Sequence, residues 1–168
     1  DLVLILGDYL LENNHKLINM IIRSAFSLPK TARFIFKPHP ACTISLKEFK
    51  GLNIRILDEP LEDLLQDCSI AISSNVTTAA LDAYFKGVPV ACMIDSSKLN
   101  LSPMLEIDAN VFVKTPQELV TKILESFQES EIKNIDVRSF FELDSSLPRW
   151  LNFIKKALNS KRPYEEKL

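Results

Sequence analysis

Residues 69–94 read SIAISSNVTTAALDAYFKGVPVACMI, and this stretch decides the fold. Its first part, 69–73, has the apolar character of a strand, and residues 77–86 carry apolar side chains at helical spacing. Gly87 is well suited to the position just after a helix. Residues 88–94 form a nearly continuous apolar run, which is typical of a central strand buried on both faces of a parallel sheet. The order strand, helix, strand predicts a βαβ unit.

The same alternation extends along the rest of the chain. Further strands are predicted at 2–6, 33–37, 53–57 and 110–113, and helical patterns at 17–25, 61–67 and 116–127. Thr115-Pro116-Gln117-Glu118 has the form of a capping box with proline at the first helical position. We therefore predict an α/β, Rossmann-like open parallel sheet of about six strands with helices on both faces. One domain is expected over residues 1–160, followed by a polar tail at 161–168.

Composition restricts the kind of partner. The chain has 168 residues with 46% hydrophobic and 25% charged side chains, as expected for one globular domain. Its net charge of −2 gives no sign of a broad surface for nucleic acid or anionic lipid. No apolar run approaches the roughly 20 residues that a transmembrane helix needs. We expect neither a nucleic-acid partner nor a transmembrane segment.

The cysteines suggest a cellular compartment, and the first residues suggest that the chain is part of a longer protein. The three cysteines are an odd number without metal-ligand spacing, and no signal peptide is recognised. A reducing cytoplasm is expected, with a peripheral position at the inner face of the membrane as an alternative. Because a strand-like run follows Asp1 at once, we expect the chain to come from a longer protein.

Ligands of open α/β sheets bind outside the carboxyl ends of the strands, so the segments after the strands are the candidate site. In Lys37-Pro38-His39-Pro40 the prolines favour extended geometry and hold His39 at a strand end, where it presents a cation or an N–H donor. The alternative is a rigid turn with an incidental histidine. Gly7-Asp8-Tyr9 either faces a cleft or is a turn followed by surface residues.

A second segment, Ser73-Ser74-Asn75-Val76-Thr77-Thr78, joins a strand to a helix. Free backbone N–H groups and the helix dipole favour an anion there, and the hydroxyls add donors. Ordinary helix capping by the same side chains is the alternative. With only 3 glycines the chain has neither a GxGxxG fingerprint nor a P-loop, which weakens NAD and Walker-type ATP hypotheses. No metal-ligand motif is present among the carboxylates.

KPHP after a strand, followed some thirty residues later by SSNVTTAALDAYFKGVPV, resembles the C-terminal domain of bacterial GT-B glycosyltransferases of surface carbohydrate synthesis. The likeness is to capsule and lipooligosaccharide enzymes with HP and SS/ST motifs, including sialyl- and Kdo-transferases that use CMP-sugars. It covers residues 36–95, and FELDSSLPRW near the C-terminus is also similar to proteins of surface carbohydrate synthesis.

The resemblance implies a donor-binding domain that takes a CMP- or UDP-linked sugar and serves its transfer to a surface polysaccharide or lipooligosaccharide. It places His39 on the donor phosphate as the catalytic residue. The substrate-binding residues that it implies are Lys37, Ser73, Ser74, Asn75, Thr77, Thr78, Asp82, Asp58 and Glu59. Among these, Asp82 takes the position of an acidic residue near the ribose, while Asp58 and Glu59 line the base pocket.

The resemblance also implies partners and alternatives. No cofactor or metal is expected, because the nucleotide-sugar is a substrate and His39 with the helix N-terminus stabilises the leaving phosphate. The acceptor and the general base are expected on a missing N-terminal domain. The alternative functions are a polyol-phosphate transferase or nucleotide-sugar epimerase of the same architecture, and a non-catalytic α/β binding domain.

Overall fold

The computed structural model describes residues 1–128, 135 and 146–159. The helices and strands are β1 Leu2–Leu6, α1 Leu11–Ala25, β2 Arg33–Lys37, β3 Ile54–Ile56, α2 Leu61–Leu65, β4 Ile70–Ser74, α3 Ala79–Phe85, β5 Val90–Met93, β6 Phe112–Val113, α4 Pro116–Gln128 and α5 Pro148–Asn159. Short 3-10 helices cover Leu46–Phe49, Pro103–Glu106 and Ala109–Val111. Within the described residues, no helix combines the length and apolar character needed to cross a bilayer.

The six strands form one sheet in the order β3-β2-β1-β4-β5-β6, and every pairing is parallel. The predicted Rossmann-like open sheet is thereby confirmed. β1 and β4 are the central pair, and β5 lies one strand further out. The strands β4 and β5 are buried at every position, because helices cover both faces of the sheet.

Two apolar clusters cover the two faces of the sheet. One contains Leu17 and Ile21 of α1 with Leu119 and Ile123 of α4. The other contains Leu65 of α2, together with alanines of α3 and Met104. In β1, β2, β4, β5 and β6, neighbouring apolar residues belong to different clusters, as the two-residue period of a strand requires.

Several predicted boundaries differ from the structure, and three of the differences have a clear cause. Strand β4 extends to Ser74, so Ser73 and Ser74 belong to the strand and not to the connection that follows it. Helix α1 begins at Leu11, earlier than predicted, because Asn13 and Asn14 occupy core-facing positions where the pattern required apolar residues. The strand predicted at 110–113 shortens to Phe112–Val113 because a 3-10 helix takes the residues before it.

The predicted cap of α4 is formed. The Thr115 hydroxyl accepts a hydrogen bond from the backbone N–H of Glu118 at 3.2 Å. The Glu118 carboxylate in turn accepts one from the backbone N–H of Lys114 at 2.6 Å. The first bond satisfies an amide group that the helix leaves unpaired at its start, and the second binds the residue before the cap to the first turn of the helix.

Contacts between Cα atoms divide the chain into the units Asp1–Ile135 and Asp136–Leu168. The first unit holds the sheet and helices α1 to α4. The structure describes the second unit through residues 146–159, which contain α5. One domain over 1–160 stays a prediction, and the predicted tail at 161–168 lies outside the described residues.

Gly7, directly after β1, allows two backbone segments to approach closely. Its N–H donates to the carbonyl oxygen of Lys37 at 2.8 Å. A Cβ atom at this position would lie 2.9 Å from the backbone nitrogen of His39 and 2.9 Å from the Lys37 oxygen. Both contacts involve main-chain atoms, so a side chain here displaces the loop that carries His39.

We predict that Gly7→Ala lowers the free energy of unfolding by roughly 2 kcal/mol or more, because overpacking against backbone forces the loop to move. Gly51→Ala is the control: Gly51 has a φ of +85° but no atom within 4 Å of an added Cβ, so only backbone strain is expected. Urea unfolding of both variants measures the loss in the free energy of unfolding. A smaller loss for Gly7→Ala than for Gly51→Ala would contradict the steric explanation.

Candidate functional site

The strand order reverses between β1 and β4, and the crevice of an open α/β sheet lies at the carboxyl ends of such a pair. In the parallel register Leu6 of β1 lies beside Ser73 of β4. Gly7 and Asp8 therefore continue past β1 at the level where β4 ends with Ser74. This end of the sheet carries the candidate site.

Asp8 is fully buried there. One carboxylate oxygen accepts the backbone N–H of Leu10 at 2.8 Å. The other oxygen accepts the amide of Asn13 at 3.0 Å and the hydroxyl of Ser74. Within the described residues Asp8 makes no ion pair, so these three donors replace the water that its carboxylate loses on burial.

Asn14 connects the segment after β1 to the segment after β2. Its side-chain oxygen accepts the N–H of Asp8 at 2.7 Å, and its amide nitrogen donates to the Asp8 carbonyl at 2.7 Å. The same nitrogen lies 3.3 Å from the sulfur of Cys42. The backbone N–H of Cys42 donates to the carbonyl of His39 at 2.9 Å. A continuous set of hydrogen bonds therefore runs from Ser74 through Asp8 and Asn14 to the His39 loop.

The ring of His39 is half-buried and held in one tautomer. The N–H of Ala41 donates to its Nδ1 at 3.1 Å, which leaves the proton of the neutral ring on Nε2. Tyr9 packs edge-on against the ring, with 6.2 Å between ring centroids. No hydrogen bond to Nε2 is found within the described residues. His39 thus presents an N–H donor at the carboxyl end of the sheet.

Both serines of β4 donate hydrogen bonds to other groups of the protein. Ser73 donates to the sulfur of Cys92 at 3.3 Å, and burial raises the pKa of that thiol to about 11, so the thiol is protonated at neutral pH. Ser74 donates to Asp8 and also lies 3.5 Å from the N–H of Val76. Both hydroxyls are buried and bind protein groups.

In the segment between β4 and α3, some side chains bind other groups of the protein and one is exposed to solvent. Buried Asn75 donates to the carbonyl of Leu99 at 3.3 Å. Thr77 accepts the N–H of Ala79 at 3.4 Å and so caps α3. Thr78 is exposed and its hydroxyl makes no cap bond. Of these three residues, only Thr78 is exposed.

The remaining residues predicted for the site make no described contact with His39. Lys37 ends β2 and its ammonium is 3.6 Å from the carboxylate of Asp58, which is highly exposed. Glu59 is exposed beside it, after β3. Asp82 is exposed on α3. The structure does not bring these three carboxylates together with His39 through any described contact.

An ionic network ties α1 to the segment after β5. Lys16 lies 2.7 Å from Asp95 and 2.7 Å from Glu12, and Lys98 lies 3.1 Å from Glu12. The Lys16 ammonium, with the hydroxyl and N–H of Ser97, holds the pKa of Asp95 well below its usual range. Asp95 and Glu12 together raise the pKa of Lys16, and Lys16 with Lys98 lowers the pKa of Glu12.

Two cavities have walls that contain none of Asp8, His39 and Ser74. One of about 700 Å³ includes Leu2, Arg33 and Asn53 in its wall. The other, about 270 Å³, includes Gly87 and Asn110. Since ligands of open α/β sheets bind at the carboxyl ends of the strands, neither cavity is assigned to the candidate site. The described residues contain no group of three His, Cys, Asp or Glu arranged to hold a metal ion.

Comparison with known proteins supports the fold. No protein-family model matches the sequence, and a search of curated proteins finds no match. Among solved structures, the catalytic domain of cholesterol-alpha-glucosyltransferase from Helicobacter pylori is similar, with a TM-score of 0.54 over 94% of this chain and 98% of that chain. Sequence identity is 18%, so the likeness shows the shared Rossmann-like α/β fold.

Sequence reasoning missed Asp8, Asn13 and Asn14 as the centre of the site. Asp8 was expected either to face a cleft or to lie among surface residues, and it is completely buried. A signal was available: Asn13 and Asn14 precede Leu17 by four and three positions, which places two amides on the apolar face of α1. Polar residues in such positions need partners.

We predict energetic coupling between Asp8 and Ser74. Ser74→Ala should cost roughly 1–3 kcal/mol, because it removes a donor from a buried carboxylate, and Asp8→Asn should cost at least as much. In a double-mutant cycle by urea unfolding, the coupling should reach roughly 0.5–3 kcal/mol. Ser73→Ala combined with Asp8→Asn is the matched control and should be additive. Additivity for Ser74 as well would refute the direct bond.

We predict that the contribution of Asp95 to stability depends on pH. Because the pKa of Asp95 is lowered from 3.8 in the folded state, its contribution is present above that value and is lost as pH falls through the folded pKa. The difference in unfolding free energy between wild type and Asp95→Asn should shrink in acid and in high salt. Asp82→Asn, on exposed helix surface, should show little change. A constant difference across the acid range would contradict the Lys16 pairing.

Proposed function

We propose that this chain binds the nucleotide part of an activated sugar, CMP- or UDP-linked, at the carboxyl end of the sheet and serves its transfer to a surface polysaccharide or lipooligosaccharide. The observation that carries the proposal is the oriented N–H of His39 beside the point where the strand order reverses. The fold likeness to a glucosyltransferase catalytic domain and the resemblance over residues 36–95 add support.

In the proposed reaction His39 acts on the leaving group. Negative charge grows on the donor phosphate as the bond to the sugar breaks, and donors placed in advance lower the free energy of that state. The Ala41 N–H occupies Nδ1, so His39 donates to the phosphate through its Nε2 proton. Gly7 and Asn14 hold the loop, which reduces the reorganisation needed during the reaction.

The other proposed contacts divide by accessibility. We assign a direct phosphate or sugar contact to Thr78, since its hydroxyl is exposed. Ser73, Ser74, Asn75 and Thr77 bind protein groups, so their proposed role is to shape the segment that receives the donor. Lys37 with Asp58, Glu59 and Asp82 remain proposed contacts to the nucleotide at the outer rim.

The acceptor and the general base are assigned to a second domain. A base is needed to deprotonate the acceptor hydroxyl, and His39, which donates through Nε2, is given to the leaving group in this scheme. Leaving-group stabilisation by N–H and hydroxyl donors requires no divalent ion. We propose a cytoplasmic enzyme with a metal-independent donor site.

We predict that His39→Ala weakens CMP or UDP binding about tenfold or more, since a hydrogen bond to a charged phosphate contributes roughly 1.5–3 kcal/mol. His39→Gln, which keeps an N–H donor, should recover part of the affinity. His15→Ala is the matched control, because His15 is exposed on α1 and pairs with Glu48 at 2.7 Å. Calorimetric titration measures affinity, and urea unfolding checks that the variants stay folded.

Two results would overturn the proposal. Equal affinity of wild type and His39→Ala would remove His39 from the site. Affinity that disappears in EDTA would contradict a metal-independent site. A thermal-shift panel of CMP-, UDP-, GDP- and CDP-linked ligands identifies the base, because bound ligand raises the melting temperature according to its affinity.

A further inference from the structure

Helix α5, Pro148–Asn159, has an exposed apolar face. Its large apolar side chains include Trp150, Phe153 and Leu158, which are 62%, 64% and 64% exposed. Trp150 and Phe153 stack edge-on with ring centroids 6.1 Å apart. No residue of this helix is buried. Side chains of this kind are stable in contact with a lipid or protein surface and unfavourable in water.

The charged side chains of α5 are arranged around that face. At 3.6 residues per turn, Trp150, Leu151, Phe153, Ile154, Ala157 and Leu158 occupy an arc of about 160°. Lys155 borders one side of the arc, and Lys156 with Arg149 borders the other. The two asparagines of the helix lie opposite the apolar arc, and the helix contains no Asp or Glu.

This order of side chains fits a lipid surface better than a protein surface. An amphipathic helix in a membrane interface buries its apolar face among the acyl chains, and cations at the borders extend to the headgroups. Lys155 and Lys156 make no ion pair within the described residues, so both are available to lipid phosphates. Three cations on 12 residues give a local positive charge, although the whole chain carries −2.

We propose that α5 lies on the surface of an anionic membrane, with Trp150 and Phe153 among the acyl chains and Lys155 and Lys156 on anionic headgroups. The inference does not depend on the proposed sugar transfer. It gives the chain a peripheral membrane contact through a helix of about 18 Å, at 1.5 Å per residue.

The chain has a single tryptophan, so its fluorescence reports on α5 directly. The full chain is titrated with vesicles of phosphatidylcholine alone and of equal parts phosphatidylcholine and phosphatidylglycerol. We expect Trp150 emission to shift to shorter wavelength and the chain to sediment with the anionic vesicles, with binding on the order of tenfold or more above that to neutral vesicles. High salt should reduce this difference.

Lys155→Glu combined with Lys156→Glu should abolish the preference for anionic vesicles. Lys47→Glu combined with Lys50→Glu makes the same change of net charge on exposed residues outside α5 and should retain it. Circular dichroism verifies that each variant is folded. Phe153→Gln should weaken binding to anionic vesicles without changing its salt dependence.

Several outcomes would overturn the proposal. If the Lys47/Lys50 variant lost the preference for anionic vesicles to the same extent, net charge alone would explain vesicle binding. Trp150 emission that is already blue-shifted and resistant to iodide quenching without lipid would show that the apolar face of α5 is covered within the chain. A shift that depends on protein concentration and not on lipid would show self-association. Equal binding to both vesicle types would refute recognition of anionic lipid.

Discussion

The buried carboxylate of Asp8 determines how the carboxyl end of the sheet is built. A carboxylate without water is unfavourable unless hydrogen bonds replace its hydration. Its donors come from the start of α1, from Asn13 inside that helix and from Ser74 at the end of β4. Loss of one donor leaves a poorly solvated group, so the segments are fixed together. The donor site proposed at this end of the sheet therefore lies above a closed polar base.

The rigidity of this base reaches His39 through two routes. Asn14 binds the backbone of Asp8 on one side and Cys42 on the other. Gly7 brings β1 so close to the His39 loop that no side chain fits between them. The Ala41 bond then fixes which ring nitrogen carries the proton. A donor group held in one place before the ligand arrives is the property that transition-state stabilisation requires.

The sequence predicted the fold more completely than the site. Apolar runs such as 88–94 identify buried strands because burial on both faces removes the need for polar residues, and the cap of α4 follows from local chemistry alone. The roles of the serines could not be predicted, because Ser74 meets Asp8 across 66 positions of sequence and Ser73 meets Cys92 only through strand pairing. Helix capping and phosphate binding use the same residue types, so sequence alone could not choose between them. Net charge likewise concealed the basic segment at α5.

The proposed donor site and the proposed lipid surface differ in their electrostatics. Near the carboxyl end of the sheet, Lys16 and Lys98 pair with Glu12, and Lys37 pairs with Asp58. The fields of paired charges largely cancel over distance, so in the proposed donor site N–H and hydroxyl donors at short range carry most of the nucleotide recognition. On α5, Lys155 and Lys156 have no carboxylate in the helix to balance them. Their attraction for anionic lipid extends over a Debye length and weakens with salt. Raised ionic strength is therefore expected to weaken the proposed membrane contact and to leave the hydrogen bonds of the proposed donor site largely intact.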